Sequence, residues 1–338
     1  MTAPEQALIL VGGLGTRLRP LTLHQPKALL PVANRPLLSY ELEWLRRAGV
    51  RQAILAVSYQ AQVLREGLDR TDWGLEIVYV EEAERRDTAG AIGNCREYLQ
   101  GSFWALNGDL IFDFDPHPLV AAHRAQAAAV TLTLRRVEDI RPFGLIQRDA
   151  AGRVTAFREK VDRDPTGQNT VNAGIYLLEP EVLDYIPVGI SYSNERQLFP
   201  ELVRAGRVVL GYLPPDMGYW SDVGRVETYL EANRAILGGA LSWVTPEVAP
   251  DTVIEPGAEI TLPCSVAEGV VVRAGAQVGP FVSLGTGVEV GAEAVIRDSV
   301  VYPGAGIGPR ARLEHSVVAG GETVAPGSHH KGEVICHD

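Results

Sequence analysis

The chain has 338 residues, which is enough for two domains that each bury a core of their own. Hydrophobic residues make up 46% and charged residues 22% of the chain, as in an ordinary soluble globular protein. The formal net charge of −11 argues against a nucleic-acid-binding protein, because no basic face of the required density is visible.

Three cysteines, Cys95, Cys264 and Cys336, are scattered along the chain and form no Cys-x-x-Cys pair. They fit a reducing compartment and predict neither a disulfide framework nor a cysteine metal site. No charged-then-apolar leader opens the sequence, and no apolar run approaches the roughly 18 residues of a membrane span. We therefore expect a cytoplasmic protein with no membrane partner and no nucleic-acid partner.

The first predicted element is a buried parallel strand over residues 7–11, which is apolar, rich in branched residues and ended by glycine. The loop after it, residues 12–27, begins Gly-Gly-Leu-Gly-Thr-Arg and ends Pro-Lys. Glycines behind such a strand let backbone N–H groups approach a phosphate, and Arg17 and Lys27 add fixed positive charge. Neither the Walker spacing nor the dinucleotide-binding spacing occurs, so the loop predicts an anion site of another kind.

Lysine is rare in this chain and occurs only at Lys27, Lys160 and Lys331, whereas arginine supplies the other positive charges. A lysine is a compact, mobile point charge, while an arginine is a planar fork. Lys27 and Lys160 are therefore candidates for a functional role.

Strands and helices then alternate along the chain. The predicted strands are residues 52–59, 75–80 and 103–106, and the predicted helices are residues 36–48, 61–68 and 88–99. This order predicts a doubly wound, mostly parallel sheet, in which ligands collect at the carboxyl ends of the strands. Gly12 and Asp109 each follow an apolar strand directly, so we expect both at that edge of the sheet.

The alternation ends after Asp109. Longer strands are predicted at residues 129–137, 144–159 (as a hairpin), 172–178 and 218–223, with a helix at residues 226–236. We interpret this half as a lid-like extension that carries residues against the first half.

The C-terminal region has a strict period of six from Val248 to Tyr302. The apolar residues at this spacing are Val248, Ile254, Ile260, Val266, Val272, Val278, Leu284, Val290, Ile296 and Tyr302. Such hexads are the signature of a parallel β-helix, in which three hexads form one triangular coil. The register slips by one residue at Ile307, and the pattern is expected to fray after Ala319. The predicted organisation is an α/β domain over residues 1–237, a linker over 238–247 and a β-helix domain over 248–338.

Several short motifs are shared with one enzyme family and occur in its order. They are residues 12–18 with Pro26-Lys27, residues 54–59 with 62–64, and residues 106–109, 157–160, 172–176 and 218–224. On these motifs the chain resembles the sugar-phosphate nucleotidylyltransferases over essentially its whole length. The resemblance implies a Rossmann-like mixed-sheet nucleotidyltransferase domain followed by a left-handed parallel β-helix.

The resemblance also implies a reaction. The phosphate of a sugar 1-phosphate would attack the α-phosphate of a nucleoside triphosphate and release pyrophosphate. Within the family the chain is most similar to the members that make GDP-mannose, so GTP and mannose 1-phosphate are the favoured substrates and Mg²⁺ is the implied cofactor.

The site residues implied by the resemblance fall into four groups. The catalytic residues are Arg17, Lys27, Asp109, Lys160 and Asp222. The nucleotide-binding residues are Gly12, Gly13, Gly15, Thr16, Arg17, Lys27, Thr88, Ala89, Gly90 and Asp109. The sugar-phosphate-binding residues are Gly144, Glu159, Lys160 and Asn172, and the metal ligands are Asp109 and Asp222.

The loop that contacts the base departs from the family pattern. The family often has Leu-Gly-Thr-Ala-Gly there, whereas this chain has Arg-Asp-Thr-Ala-Gly over residues 86–90. Asp87 replaces a glycine, and Val161 stands where a proline commonly follows the lysine. The choice of nucleotide is therefore less well defined than the reaction.

Three alternatives stay open. A glucose-1-phosphate thymidylyltransferase of the longer type would keep the reaction, but that group usually has Lys-Gln after the loop and Gly-Asp-Asn at the metal site. Acyl transfer by the β-helix is a second alternative. A β-helix as short as this one more often mediates self-association, so we expect a homo-oligomer through this domain. A non-catalytic regulator is a third, and it would be expected to lose the loop arginine or a metal aspartate, whereas Arg17, Asp109 and Asp222 are all present.

Overall fold

The computed structural model describes residues 4–58, 60–141, 144–158, 164 and 167–336. The chain divides into two compact units. Unit 1 comprises Met1–Gly13 and Tyr40–Met217, and unit 2 comprises Leu14–Ser39 and Gly218–Asp338. The predicted domain boundary at residue 237 stays a prediction. The division into compact units follows spatial contacts and groups residues 14–39 with the C-terminal region.

The secondary-structure elements have the following bounds. The α-helices are α1 (Leu38–Arg47), α2 (Ala61–Leu68), α3 (Asp87–Asn94), α4 (His117–Ala125), α5 (Phe199–Arg204) and α6 (Val226–Leu237). The strands before the hexads are β1 (Gln6–Leu10), β2 (Pro31–Val32), β3 (Arg35–Pro36), β4 (Gln52–Val57), β5 (Glu76–Glu81), β6 (Phe103–Asn107), β7 (Leu110–Phe112), β8 (Val130–Arg136), β9 (Leu145–Arg148), β10 (Val154–Arg158), β11 (Thr170–Leu178), β12 (Val209–Tyr212) and β13 (Trp220–Asp222). Short 3₁₀ turns cover Thr16–Leu18, Lys27–Leu29, Arg96–Tyr98 and Pro180–Tyr185, and a π turn covers Asn194–Leu198.

Unit 1 is built on a mixed sheet that holds nine of the described strands. The strand order is β10-β9-β11-β6-β1-β4-β5, with β8 beside β11 and β12 beside β8. Strands β6, β1, β4 and β5 are parallel, whereas β11 runs antiparallel to β6. The central residues of β1, Ala7 to Ile9, are fully buried, as a parallel strand covered on both faces requires. The predicted mixed α/β sheet is confirmed.

One predicted helix is shorter in the structure, and the predicted hairpin is confirmed. The helix predicted over residues 88–99 ends at Asn94 and is followed by a 3₁₀ turn, whereas β9 and β10 pair antiparallel as the hairpin predicted over residues 144–159. Helix α4 was not predicted, because only Leu119, Val120 and His123 of its nine residues are buried. Three apolar or buried positions are too few to give a clear helical period.

The hexad region of unit 2 is a parallel β-helix, as predicted. Its strands are β14 (Val253–Ile254), β15 (Glu259–Ile260), β16 (Cys264–Val266), β17 (Val271–Val272), β18 (Gln277–Val278), β19 (Val282–Leu284), β20 (Glu289–Val290), β21 (Val295–Arg297), β22 (Val300–Val301), β23 (Gly306–Ile307), β24 (Arg312–Glu314), β25 (Val317–Val318), β26 (Thr323–Val324), β27 (His329–Lys331) and β28 (Val334–Ile335). They form three parallel sheets of five described strands each. The left-handed sense stays a prediction.

The length of one coil explains the register slip. Val272 pairs with Val290, 18 residues on, whereas Val290 pairs with Ile307, only 17 residues on. The expected fraying after Ala319 is wrong, because β26, β27 and β28 continue the three sheets. Backbone pairing with the coil beneath maintains these last strands, although their hexad positions are less apolar. Within the described ranges, none of the helices combines the length and the apolar character that crossing a lipid bilayer requires.

Candidate active site

Gly12 and Asp109 lie at the same edge of the sheet in unit 1, as predicted. Strands β1 and β6 are neighbours in register, with Leu10 opposite Asn107, so their carboxyl ends coincide. The Gly108 N–H donates to the Leu10 carbonyl at 3.0 Å. A side chain at position 108 would place its Cβ 2.5 Å from Val11 Cγ1, so only glycine allows this approach. The Asn-Gly-Asp turn therefore holds the half-exposed Asp109 beside the glycine loop.

Two side chains from the next strands also reach this edge. The Ser58 hydroxyl, just after β4, donates to the Gly12 carbonyl at 2.8 Å and fixes the start of the loop. A Cβ at position 12 would lie 3.2 Å from Glu82 Oε2, so the carboxylate that follows β5 lies close to the loop backbone. Gly13 is exposed, which leaves its backbone open to a ligand.

Glu82 is a functional candidate that sequence reasoning missed. Its carboxyl group is half-buried, and among the described residues its Oε1 is buried without a hydrogen-bond partner. Burial raises the pKa of the Glu82 carboxyl, while Arg86 and Arg85 act in the opposite direction. A carboxylate directly after a parallel strand was the sequence signal that could have found it.

The base-contacting loop predicted at residues 88–90 opens helix α3. The Gly90 N–H donates to the Tyr192 carbonyl at 2.9 Å, and the Thr88 hydroxyl accepts a hydrogen bond from the Asn194 N–H at 2.8 Å. A Cβ at position 90 would lie 2.9 Å from the Ile190 carbonyl oxygen. Gly90 is thus required by the packing of this segment, and Ala89 is fully buried beside it. Contact of these residues with a base stays a prediction.

Asp87 is accommodated where the family often has glycine because aspartate tolerates the same backbone conformation. Its φ is +59°, in the left-handed region that glycine adopts freely and aspartate adopts more easily than most residues. One carboxylate oxygen accepts from the Thr88 N–H at 2.7 Å, and the other pairs with Arg196 at 2.6 Å. The replacement therefore preserves the course of the loop.

Replacing Asp87 by glycine is expected to leave activity nearly unchanged. The variant keeps the backbone conformation and loses a partly exposed ion pair worth at most about 1 kcal/mol. Replacing Asp87 by valine should instead lower the free energy of unfolding by about 1–2 kcal/mol, since a branched side chain is disfavoured at this φ. Urea unfolding and kcat/KM for the triphosphate would measure both effects. A large loss of activity in the glycine variant alone would show that the carboxylate acts on the ligand.

Asn172 lies on β11, and Gly144 directly precedes the neighbouring strand β9. Leu145, directly after Gly144, pairs with Val171, directly before Asn172. The Asn172 amide donates to the Tyr176 hydroxyl at 2.7 Å and to Glu195 Oε1 at 3.0 Å. Its own oxygen accepts from the Gly174 N–H at 3.0 Å, so internal partners orient the side chain.

The surroundings of Asn172 and Gly144 follow from local backbone features. The bulge between Asn172 and Tyr176 contains Gly174 at a φ of +77°, which redirects the strand. Gly144 is exposed, and a Cβ there would meet nothing closer than 4.0 Å, so its backbone is accessible. Glu159 and Lys160 lie outside the described residues, and their roles stay predictions.

Unit 2 carries the rest of the loop. Gly15 has a φ of +58° and begins the 3₁₀ turn Thr16–Leu18, and the Thr22 hydroxyl donates to its carbonyl at 2.9 Å. A Cβ at position 15 would lie 2.9 Å from Thr22 Cγ2, so glycine is needed for both conformation and space. Thr16 and Arg17 are exposed on this turn, while Lys27 is half-buried at the start of the second turn.

Arg17 lies beside the segment that carries Asp222. A Cβ at Gly224 would lie 3.2 Å from an Arg17 guanidinium nitrogen, so glycine makes room for this side chain. The Gly224 N–H donates to the Asp222 carbonyl at 2.9 Å, which turns the chain directly after β13. Unit 2 thus brings the loop arginine and one predicted metal ligand into the same neighbourhood.

The two predicted metal ligands have the donor chemistry that Mg²⁺ prefers. Asp109 and Asp222 are half-exposed carboxylates that each end a strand region. Within the described residues, no group of three or more His, Cys, Asp or Glu side chains could hold a metal ion by itself. Mg²⁺ is often held by one or two carboxylates together with substrate phosphates and water, so each of these side chains is of a ligand type that suits this ion.

The comparison that decides the family covers the sheet and both turns of the loop. The sequence profile of the nucleotidyl transferase family matches residues 6–238. The chain belongs to this family. As a nucleotidyl transferase it is an enzyme, and the non-catalytic alternative lacks support.

Curated relatives extend the similarity beyond the matched region. A mannose-1-phosphate guanylyltransferase of Mycobacterium tuberculosis is 38% identical over 287 residues, which cover 82% of this chain and 78% of the relative. The catalytic subunit beta of a Drosophila melanogaster mannose-1-phosphate guanylyltransferase is 36% identical and covers 77% of this transferase and 72% of its own length. Mannose-1-phosphate guanylyltransferase 1 of Arabidopsis thaliana is 32% identical and covers 93% of this chain and 91% of its own.

Solved structures share the fold of the sheet region. HddC from Yersinia pseudotuberculosis has a TM-score of 0.59 and 26% identity, covering 68% of this transferase and 98% of its own chain. A second HddC structure, in complex with GMP-PN, has a TM-score of 0.58.

Proposed function

We propose that this transferase joins GTP and mannose 1-phosphate to form GDP-mannose and pyrophosphate. The observation that carries the proposal is the 38% identity to the Mycobacterium tuberculosis guanylyltransferase over 82% of the chain. The loop after β1 also supports it. Its glycines adopt a backbone course that side chains would obstruct, and it carries the positive charges of Arg17 and Lys27, as a polyphosphate site requires.

The chemistry requires alignment of two polyanions more than a covalent nucleophile. A phosphate oxygen of mannose 1-phosphate attacks the α-phosphorus of GTP, and the bond from that phosphorus to the bridging oxygen of the β-phosphate breaks. Arg17 and Lys27 hold the triphosphate and stabilise the charge that develops on the leaving pyrophosphate. Backbone N–H groups of residues 12–16 support the same phosphates.

The sugar phosphate is assigned to the edge that carries Gly144 and Asn172. The accessible backbone at Gly144 and the oriented amide at Asn172 are suited to sugar hydroxyls. Glu159 and Lys160 complete this proposal from the sequence, with the lysine on the phosphate.

Mg²⁺ is our proposed cofactor, with Asp109 and Asp222 as its protein ligands. Members of the family typically use a divalent metal ion. When bound, the ion supplies neutralisation of phosphate charge. Asp109 and Asp222 would hold the ion, and Arg17 and Lys27 would supply the remaining positive charge.

Three further assignments complete the proposal. Residues 1–237 form the catalytic domain, and the β-helix domain over 248–338 mediates a homo-oligomer. The buried free thiols of Cys95 and Cys264 support a reducing compartment, for which we propose the cytoplasm.

A panel of substrates tests the proposed function. The four common ribonucleoside triphosphates and dTTP would each be paired with mannose 1-phosphate and with glucose 1-phosphate, and pyrophosphate release would be followed. We expect the highest kcat/KM for GTP with mannose 1-phosphate. A clear preference for dTTP with glucose 1-phosphate would contradict the proposal and favour the thymidylyl alternative.

Glu82 is expected to set the preference for guanine. Its Oε2 lies beside the glycine loop, Arg86 of the base-contacting segment is a neighbour, and its Oε1 has no hydrogen-bond partner among the described residues. A carboxylate accepts from both the N1–H and the 2-amino group of guanine. Replacing Glu82 by glutamine should lower kcat/KM for GTP by about 10–100-fold, since loss of a charge-assisted hydrogen bond costs about 1.5–3 kcal/mol. Replacing the exposed Glu81 by glutamine is the matched control. Equal GTP kinetics in both variants would remove Glu82 from the base site.

A further inference from the structure

The segment after Lys27 folds into a small hairpin whose turn faces the β-helix of the same unit. Strands β2 and β3 pair Val32 with Arg35, and the two turn residues, Ala33 and Asn34, have φ values of +46° and +61°. Positive φ at both central positions is typical of the tight turns that connect such hairpins. The turn therefore presents the Asn34 side chain in a fixed direction.

Asn34 binds two successive coils of the β-helix. Its amide nitrogen lies 3.0 Å from the Ser265 carbonyl, 3.0 Å from the Ser265 hydroxyl and 2.9 Å from the Leu284 carbonyl. Its two N–H groups are thus shared among three oxygens, which only a side-chain amide or a cation could satisfy. The Ser265 hydroxyl in turn donates to the Ala33 carbonyl at 3.3 Å.

Helix α6 completes the junction through Asn233. The Asn233 side-chain oxygen accepts from the Ala33 N–H at 2.9 Å and from the Ser283 hydroxyl at 2.7 Å. Asn233 is 1% exposed and Ser283 is fully buried. Ser265 and Ser283 alternate with core residues along their strands and so face outward from the helix core, yet the hairpin and α6 bury them.

Both loop cations are linked to this junction by short paths. The Leu30 N–H donates to the Lys27 carbonyl at 3.0 Å, so one 3₁₀ turn connects the lysine to the hairpin. At the other end of α6, the Thr228 hydroxyl accepts from the Gly224 N–H at 3.1 Å, beside the Arg17 guanidinium. The Tyr229 hydroxyl, one turn before Asn233, donates to the Pro31 carbonyl.

We propose that the β-helix holds Arg17 and Lys27 in place for the triphosphate, and that Asn34 is the positioning residue that transmits this constraint. The inference rests on the proposed function for its effect on catalysis, but the constraint itself is independent of the substrate. It gives the β-helix a part in the reaction besides self-association. Removal of the amide would take one donor each from the Ser265 and Leu284 carbonyls, although the Leu284 carbonyl still accepts from the Ala267 N–H at 2.9 Å, and loss of such hydrogen bonds in a buried junction is costly.

Two variants of Asn34 separate the backbone from the side chain. Asn34→Gly keeps the left-handed conformation and removes the amide, whereas Asn34→Asp keeps the size and places a carboxylate against three oxygens. Ser283→Ala removes one bond of the same junction with little change in volume. Ser316→Ala is the matched control, because this buried serine of the same sheet face bonds only within the β-helix.

Hydrogen exchange and kinetics together test the proposal. In Asn34→Asp we expect about tenfold faster amide exchange in residues 14–30, corresponding to about 1.4 kcal/mol, with exchange in the β-helix core unchanged. For GTP, kcat/KM should fall by about 10–100-fold while the KM for mannose 1-phosphate changes less than about threefold. Asn34→Gly should show the same pattern, Ser283→Ala a weaker one, and Ser316→Ala none.

The two readouts distinguish the possible failures. Unchanged exchange over residues 14–30 in both Asn34 variants would overturn the constraint. Faster exchange with wild-type GTP kinetics would overturn the link to triphosphate binding. A wild-type protein that is inactive on GTP and mannose 1-phosphate would refute the proposed function, while its exchange pattern would still decide whether the β-helix constrains the loop.

Discussion

Replacing Asp109 or Asp222 by asparagine is expected to abolish turnover while leaving the fold intact. An amide has nearly the shape of the carboxylate but no charge, so it is a poor ligand for Mg²⁺. Loss of one preorganised electrostatic group costs about 10²–10³ in kcat, and loss of the metal should cost at least as much. Pyrophosphate release with GTP and mannose 1-phosphate would measure kcat, and circular dichroism would follow the fold.

The control for this experiment is Asp184→Asn, which makes the same charge change on an exposed turn of unit 1. We expect the control to retain wild-type kcat. Raising the Mg²⁺ concentration should recover part of the activity of a variant that binds the ion weakly. Full activity in both Asp109→Asn and Asp222→Asn would refute the metal assignment.

Replacing Arg17 by alanine is expected to lower kcat by about 10²–10³-fold, because the guanidinium stabilises charge that appears only as pyrophosphate leaves. Arg17 is exposed on its turn, so its removal should leave the free energy of unfolding nearly unchanged. Arg17→Lys should recover only part of the rate, since an ammonium cannot form the two parallel bonds of a guanidinium. Steady-state kinetics with GTP varied would separate kcat from KM.

Arg19→Ala is the matched control for Arg17, because Arg19 is an exposed arginine of the same loop. Arg19→Ala changes the net charge by the same amount as Arg17→Ala. The comparison therefore shows whether kcat depends on the position of the arginine or only on the charge of the loop. Equal effects of the two alanine variants would show that the loop acts only through its overall field. A higher KM with unchanged kcat in Arg17→Ala would place the arginine in ground-state binding instead of leaving-group stabilisation.

The position of the candidate site at one edge of the sheet was predictable, because each of the two residues that indicate it directly follows a strand visible in the sequence. Gly12 and Asp109 each follow an apolar strand, and the parallel pairing of β1 with β6 brings the ends of those strands together. The β-helix was also predictable, since a strict six-residue period of apolar residues is typical of a parallel β-helix. Backbone geometry of this kind can be inferred from neighbouring residues alone.

Contacts between distant residues were not predictable from one sequence. The partners of Asn34 are 231 and 250 positions away, and nothing near position 34 indicates them. Glu82 follows a parallel strand and was open to prediction on that ground, but the oxygen that has no hydrogen-bond partner among the described residues is seen only in the packed structure. The effect of Asp87 in place of the family's glycine could not be predicted, because it depends on the backbone φ of residue 87. That φ is +59° and is compatible with aspartate.

The position of attack is the most direct test of the proposed reaction. The purified protein would be incubated with mannose 1-phosphate, Mg²⁺ and GTP labelled with ³²P at the α-phosphorus, and the products would be separated by chromatography. The proposed chemistry predicts that all transferred label appears in GDP-mannose, with unlabelled pyrophosphate released in equal amount. Label recovered as free GMP, or GTP consumed with release of inorganic phosphate and no nucleotide sugar, would contradict it.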